Sequence, residues 1–392
     1  MLYLYIMKDI FVSYSSKDES VAKNVCRFLE SSNMNCWVAY RDIQHGKTYA
    51  SEILRGIKET KITLLLFSKN SNASEHVLNE IDYAFTHNKI IVPFKLEETE
   101  MSDELLYYLS RKQWIPASRN YIDQLPSLVD LCYKYLGRRD STTTLKVNFK
   151  PKWADYVSKE QKMILSNLIH NMIYVEAGSF KMGATAEQKK DSYEWEKPVH
   201  DVTLSDFYIS KSLITQEIWQ SIMSNNPSSE KGTNLPVINV TWEDCIDFIQ
   251  KLNELTGLQF KLPTEAQWEY AARGGNKSKG YKYSGSDNIN DVAWCWHAIQ
   301  TAEGLHPVCE KLPNELGIYD MSGCVWEWCN DWYYIYDGNP VTDPFGAISG
   351  TRKVMRGGSS GIYSGPNCCR VSYRIGRIPK YKDNYLGFRV VL

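Results

Sequence analysis

The stretch ITLLLFSKNSNASEHVLNEIDYAF (Ile62–Phe85) joins a continuous apolar run to a segment with helical periodicity. Ile62–Phe67 is short and apolar throughout, as strands buried on both faces are. Beyond it, Val77, Leu78, Ile81, Ala84 and Phe85 fall on one face at 3.6-residue spacing, and Asn72 and Glu75 stand as a capping box would. Stepping ~100° per residue puts Glu80 at the edge of that face, beside His76 and Ala84. The pattern therefore predicts a half-buried carboxylate near the carboxyl ends of the strands, where open α/β sheets bind ligands. The plain alternative is a solvated acid on a surface helix.

The same alternation runs outward in both directions. IFVSY (Ile10–Tyr14) and IIVPF (Ile90–Phe94) are further short apolar runs. Val21, Val25, Phe28 and Leu29, and then Ile53, Leu54 and Ile57, recur at helical spacing between the strands. Strands alternating with helices imply a parallel sheet and an α/β layer fold over residues 1–136. The polar stretch GRRDSTTTLK (Gly137–Lys146) has no apolar period and is read as linker, extending over 137–160. From Asn171 the character changes. Ten of the twelve tryptophans lie between Trp153 and Trp332, glycine and proline turns interrupt most segments, and only Glu243–Thr256 and Glu265–Arg273 read as helices. A large domain of little regular structure, 161–392, has to fill its core with aromatic side chains.

At 392 residues the chain has room for two or three domains. A net charge of −1 gives no field favouring nucleic acid or an acidic membrane, and no apolar run approaches the ~18 residues that cross a bilayer. MLYLYIM at the start has neither a basic flank nor a cleavage site, so no signal peptide is expected, and Met7 is a candidate start. Ten cysteines occur with no CxxC pair, which reads as reduced thiols of a cytoplasmic protein.

IFVSYSSKDE (Ile10–Glu19), CWVAYRDIQHGKTYASEI (Cys36–Ile53) and FSKNSNASEHVLNEIDYA (Phe67–Ala84) resemble the successive motifs of bacterial TIR domains, over about residues 8–136. The resemblance implies a flavodoxin-like fold with five parallel strands. In catalytic TIR domains the glutamate matching Glu80 is needed to cleave NAD at the nicotinamide–ribose bond, so NAD is expected as substrate. One carboxylate suits that chemistry, because bond breaking builds positive charge on the ribose and a nearby anion stabilises it. Ser15 and Ser16 follow the first strand and are expected at the same mouth as His76. Arg41, Gly46 and Lys47 lie on the loop that contacts a neighbouring subunit in the family, which implies self-association. His76 departs from the tryptophan that some catalytic members carry there.

MIYVEAGSFKMG (Met172–Gly183), KLPTEAQWEYAARGG (Lys261–Gly275), NELGIYDMSGCVWEW (Asn314–Trp328), VMRGGS (Val354–Ser359) and LGFRVVL (Leu386–Leu392) are among seven ordered blocks that resemble the formylglycine-generating and sulfatase-modifying family. Its fold is an irregular α+β variant of the C-type lectin fold. Family oxidases hold copper with two cysteines, at places that here carry Ile362 and Asn367, so neither copper nor cysteine oxidation is expected. Cys368 and Cys369 adjoin the second place. Cys324 replaces an asparagine that helps bind calcium in the family, leaving Glu327 as the candidate calcium ligand.

The segment from Arg356 to Arg389 also resembles the variable region of ligand-binding proteins diversified by retroelements. That resemblance implies a frame of Arg356, Gly357, Gly358, Cys369, Arg370, Arg374, Gly387, Phe388 and Arg389. It would display Ile362, Tyr363, Tyr373, Ile375, Ile378, Tyr381, Asp383, Asn384 and Tyr385. Tyr363, Tyr373, Tyr381 and Tyr385 are expected exposed on one face; Phe388, Val390 and Val391 are expected buried. The expectation for the whole is a sensor–effector whose lectin-like domain binds a target, a protein in the first instance, while the TIR domain self-associates and cleaves NAD. The alternatives are a non-catalytic TIR adaptor and a cysteine oxidase with a TIR appendage.

Overall fold

The structure, a computed structural model, describes residues 8–32, 34–43, 46, 48–110, 112–118, 120–137, 149–296, 304–362 and 364–392. Met7, Lys47, Tyr363 and residues 138–148 of the expected linker lie outside them. The chain divides into two compact units, Met1–Asp140 and Ser141–Leu392.

In the first unit β1 (Ile10–Ser13), β2 (Cys36–Trp37), β3 (Ile62–Phe67), β4 (Ile90–Lys95) and β5 (Ile115–Pro116) form one sheet in the order β2-β1-β3-β4-β5. Every pairing is parallel. All six residues of β3 are buried, as the uninterrupted apolar run requires of a central strand. The helices are α1 (Glu19–Ser31), α2 (Ala39–Asp42), α3 (Tyr49–Glu59), α4 (Lys69–Asn72), α5 (Glu75–Thr86), α6 (Asp103–Leu109) and α7 (Leu125–Leu136). Val77, Ile81 and Ala84 of α5 pack on Phe11, Leu65 and Phe67.

The expected cap of α5 is misplaced. Ser74 is the N-cap, its Oγ accepting from the Val77 N–H, whereas Asn72 ends α4 and its amide bridges Glu100 and Ser102. Phe85 is exposed rather than core, its ring set against Tyr107 and Tyr108.

The second unit begins before the boundary drawn from sequence. Residues 149–158 belong to it: Lys152 and Ala154 donate to the carbonyls of Thr256 and Leu255, and Val157 is buried among Leu165, Leu252 and Leu255. Its helices are α8 (Lys159–His170), α9 (Gln216–Ile222), α10 (Trp242–Thr256), α11 (Glu265–Ala272) and α12 (Ile289–Val292). A two-stranded sheet pairs β6 (Met172–Val175) with β9 (Phe207–Ser210), and a three-stranded one joins β7 (Gly178–Met182), β8 (His200–Leu204) and β11 (Val341–Thr342). Four strands, β10 (Trp326–Trp332), β12 (Lys353–Arg356), β13 (Ile375–Arg377) and β14 (Leu386–Gly387), run in the order β13-β12-β10-β14.

Trp219, Trp268 and Trp328 are fully buried, supplying bulk that the short strands lack. Phe388, Val390 and Val391 are all buried. Alternation is not the cause for the last two, since consecutive residues would point to opposite faces; both faces of that segment are covered. Among the described residues no helix is long and apolar enough to cross a membrane.

Candidate functional site

In the first unit, Ser13 ends β1 and places its hydroxyl under α5. Its Oγ donates to Glu80 Oε2 at 2.6 Å. Glu80 itself is buried, 8% exposed, so helical spacing located it correctly at the core face but understated its burial. Burial raises its carboxyl from 4.5 to about 7, and the Ser13 hydrogen bond opposes that rise only in part. The result is an acid that changes charge near neutrality at the carboxyl end of a parallel sheet.

The remaining expected residues divide. His76, one turn before Glu80, is exposed, and its ring meets that of Tyr49 edge-on at 5.9 Å. Ser15 is buried and its carbonyl accepts from the Asp18 N–H, while Ser16 is exposed. The hydroxyl on the carboxylate is thus that of Ser13, a residue hidden inside the apolar run IFVSY; its one sequence signal was its polarity at the end of a strand. Arg41 is committed elsewhere. It pairs with Glu30 at 2.8 Å and Asp42 at 3.1 Å, and donates to the Cys36 carbonyl at 2.7 Å. A guanidinium so engaged is held against α1 and α2. Gly46 is exposed with φ +84°, a conformation that glycine adopts without strain.

In the second unit the frame arginines are fully buried, and each meets a buried glutamate. Arg389 grips Glu327 on β10 at 2.6 and 2.9 Å. Arg374 grips Glu265 at 2.6 Å through two nitrogens, and Arg356 pairs with Glu269 one turn further along α11. Arg370 holds Glu196 at 2.6 and 2.8 Å. Both oxygens of Glu327 therefore accept from the Arg389 guanidinium in a buried ion pair. Among the described residues no group of three or more His, Cys, Asp or Glu could hold a metal ion.

The copper site implied by the resemblance does not fit these residues. Ile362 is exposed, Asn367 is exposed, and Cys369 is fully buried with its thiol against that of Cys295. Gly358, at φ +73°, lies so close to Cys369 that a Cβ there would sit 2.7 Å from its sulfur. The Cys369 thiol is thus packed into the frame, while Cys368 is half-buried.

The display set is corrected in the same way. Ile362 is 47% and Ile378 57% exposed, and Asn384 is exposed. The described tyrosines are half-buried instead of open. Tyr373 lies against Tyr193 and Trp326, Tyr381 donates to Asp383 at 3.2 Å, and Tyr385 packs on the cluster of Leu213, Ile238 and Val325. Asp383 also accepts from the Tyr385 N–H at 2.9 Å, so it shapes the loop. Ile375 is half-buried on β13, packed against the core.

Residues 10–129 match the model of the TIR domain, and residues 160–392 match that of the sulfatase-modifying factor enzyme 1-like domain. The chaperone protein LppX of Paenibacillus barcinonensis is 34% identical over 265 residues, covering 55% of this chain and 86% of that one. The formylglycine-generating enzyme of Streptomyces coelicolor is 36% identical over 170 residues, covering 40% of this chain; the chain spans 52% of that enzyme. Among solved structures, Treponema denticola variable protein 1 superposes with a TM-score of 0.50 at 29% identity, covering 56% of this chain and 94% of that one.

Proposed function

Since the chain belongs to the sulfatase-modifying factor enzyme 1-like family through residues 160–392 and carries a TIR domain over residues 10–129, we propose that it is a sensor–effector in which the TIR domain self-associates and cleaves NAD and the lectin-like domain binds a protein target. The observation that carries the catalytic half is the Glu80 carboxylate, on the buried face of α5 with a hydrogen bond from Ser13 and raised by burial to about 7.

The bond between nicotinamide nitrogen and ribose carbon breaks with its electron pair going to the ring, so the cationic pyridinium leaves as neutral nicotinamide. The leaving group then needs no general acid. The ribosyl carbon becomes positive, and a carboxylate screened from water stabilises that charge far better than one in solvent. A nucleophile, water in the hydrolytic case, captures the ribosyl cation.

The binding half rests on the likeness to a variable protein and on a frame of four buried ion pairs that leaves Ile362, Ile378 and Asn384 free to differ. Diversification of those positions by a retroelement is part of the proposal, and a reverse-transcriptase gene beside this one with a template repeat matching Val354–Leu392 would bear it out.

Incubating the concentrated or clustered full chain with NAD and following nicotinamide tests the enzyme. Glu80→Ala is expected to lower release by ~10²-fold or more. Equal release by the variant removes Glu80 from the mechanism, and no release by the parent under any clustering condition favours the adaptor.

A further inference from the structure

The segment that joins β13 to β14 alternates between solvent and core. Ile378, Lys380, Lys382 and Asn384 are exposed, while Pro379, Tyr381, Asp383 and Tyr385 between them are partly covered. The covered set is tied down. The Pro379 carbonyl accepts from the Trp242 N–H at 2.9 Å, and the Asp383 carbonyl accepts from the Asn239 N–H at 3.0 Å. The Asp383 carboxylate accepts from the Tyr381 hydroxyl and the Tyr385 N–H, and the Tyr381 N–H closes a turn on the Ile378 carbonyl at 2.9 Å. Every second residue thus fastens this strap to the start of α10 and the core, and the residues between stand outward on a fixed backbone. The outward face is basic. Arg377 at the end of β13, Lys380 and Lys382 are exposed, and among the described residues none of them pairs with a carboxylate. The strap's own acid, Asp383, is turned to the strap's hydroxyl and N–H. This local excess of positive charge stands in a chain whose net charge is −1.

We propose that this strap docks an acidic segment of the protein target, whose carboxylates meet Lys380 and Lys382 while an apolar side chain rests on Ile378. Cations left without partners draw in an acidic surface and fix its register. A backbone already held in place has little ordering cost to meet on binding, and Ile378, 57% exposed, offers an apolar contact beside the charges. A nucleic acid suits the strap less well. Bases stack on open aromatic faces, but Arg377 lies over the Tyr381 ring at 5.3 Å and Tyr385 packs on Leu213, Ile238 and Val325. So few cations also neutralise too few phosphates for tight binding. Neither lysine belongs to the set that the resemblance would display; the alternation along the strap puts them there. This inference rests on the target-binding reading above.

Phage bearing random peptides of about twelve residues, selected on the full chain, test the surface. Enriched peptides should carry more Asp and Glu than the unselected library, with a large apolar residue beside them. Made as free peptides and followed by fluorescence anisotropy, they should bind at least about tenfold more weakly to the double variant Lys380→Glu with Lys382→Glu. Lys380→Gln with Lys382→Gln should give a smaller loss, as should Ile378→Ser. Raising salt from about 50 to about 300 mM should weaken the parent's binding and leave that of the charge-reversed variant little changed. These side chains are exposed, so the variants should fold as the parent does, which far-UV circular dichroism checks. Enriched peptides without an acidic excess, or bound equally by the charge-reversed variant, overturn the strap while leaving target binding standing. No enrichment at all overturns the strap together with the reading that the domain takes a protein segment. A single-stranded oligonucleotide of about twenty bases that outbinds the acidic peptides, and loses its hold in the charge-reversed variant, gives the surface to nucleic acid and overturns the proposal.

Discussion

At the scale of two side chains, Ser13 and Glu80 meet inside the TIR domain. The Glu80 carboxyl titrates at about 7 in the folded domain against 4.5 unperturbed. Below pH 4.5 folded and unfolded states both hold the proton. As pH rises toward 7 the unfolded chain ionises first and is favoured, so this group withdraws stability across that window, by up to roughly 3 kcal/mol. Glu80→Gln keeps an acceptor for Ser13 and removes the charge. Its thermal midpoint should equal the parent's near pH 4.5 and exceed it increasingly up to pH 8; a constant difference, or none, contradicts the assigned burial. Ser13→Ala removes the one group that favours the anion, and should move the acid limb of activity upward by about one pH unit. A limb that stays put would show that the hydroxyl serves the fold alone. Glu80 was legible because its helix announces its own faces. Ser13 was not, because its function depends on a contact across 67 positions that no local pattern records.

The element that organises the second unit is the segment from β12 to the C-terminus, tied inward by Arg356, Arg370, Arg374 and Arg389. The recurrence of RGGS and LGFR was readable in sequence, but the partners were not: Glu196, Glu265, Glu269 and Glu327 lie 62 to 174 positions away. A buried pair contributes little net stability, yet halving one is costly. Arg389→Met should therefore destabilise the unit by about 3–5 kcal/mol, and the double change with Glu327→Gln should recover much of that loss. Chemical denaturation measures both, and additive losses would contradict the pairing. The same packing reverses the expectation for the tyrosines. Tyr385 packs so closely that a Cβ on Gly361 would lie 2.7 Å from its ring, so Tyr385→Ser should cost about 2 kcal/mol or more. Ile362→Ser and Ile378→Ser should stay within about 0.5 kcal/mol of the parent while weakening target binding. Large destabilisation by the isoleucine changes would remove them from the display surface.

At the scale of the whole molecule, a TIR unit and a lectin-like unit were both legible, since each announces itself by several ordered motifs. The join was less so. The stretch from 149 to 158 forms neither helix nor strand, and its hydrogen bonds to the end of α10 together with the burial of Val157 assign it to the second unit. The sensor–effector account requires the first unit to be an enzyme whose carboxylate works as an anion. The most direct measurement is the pH dependence of nicotinamide release from NAD by the clustered full chain between pH 5.5 and 8.5. The predicted kcat/KM rises through a single limb near 7, and the limb in kcat lies lower because bound pyridinium favours the ionised carboxylate. A flat profile, or a rising one retained by Glu80→Gln, would contradict it.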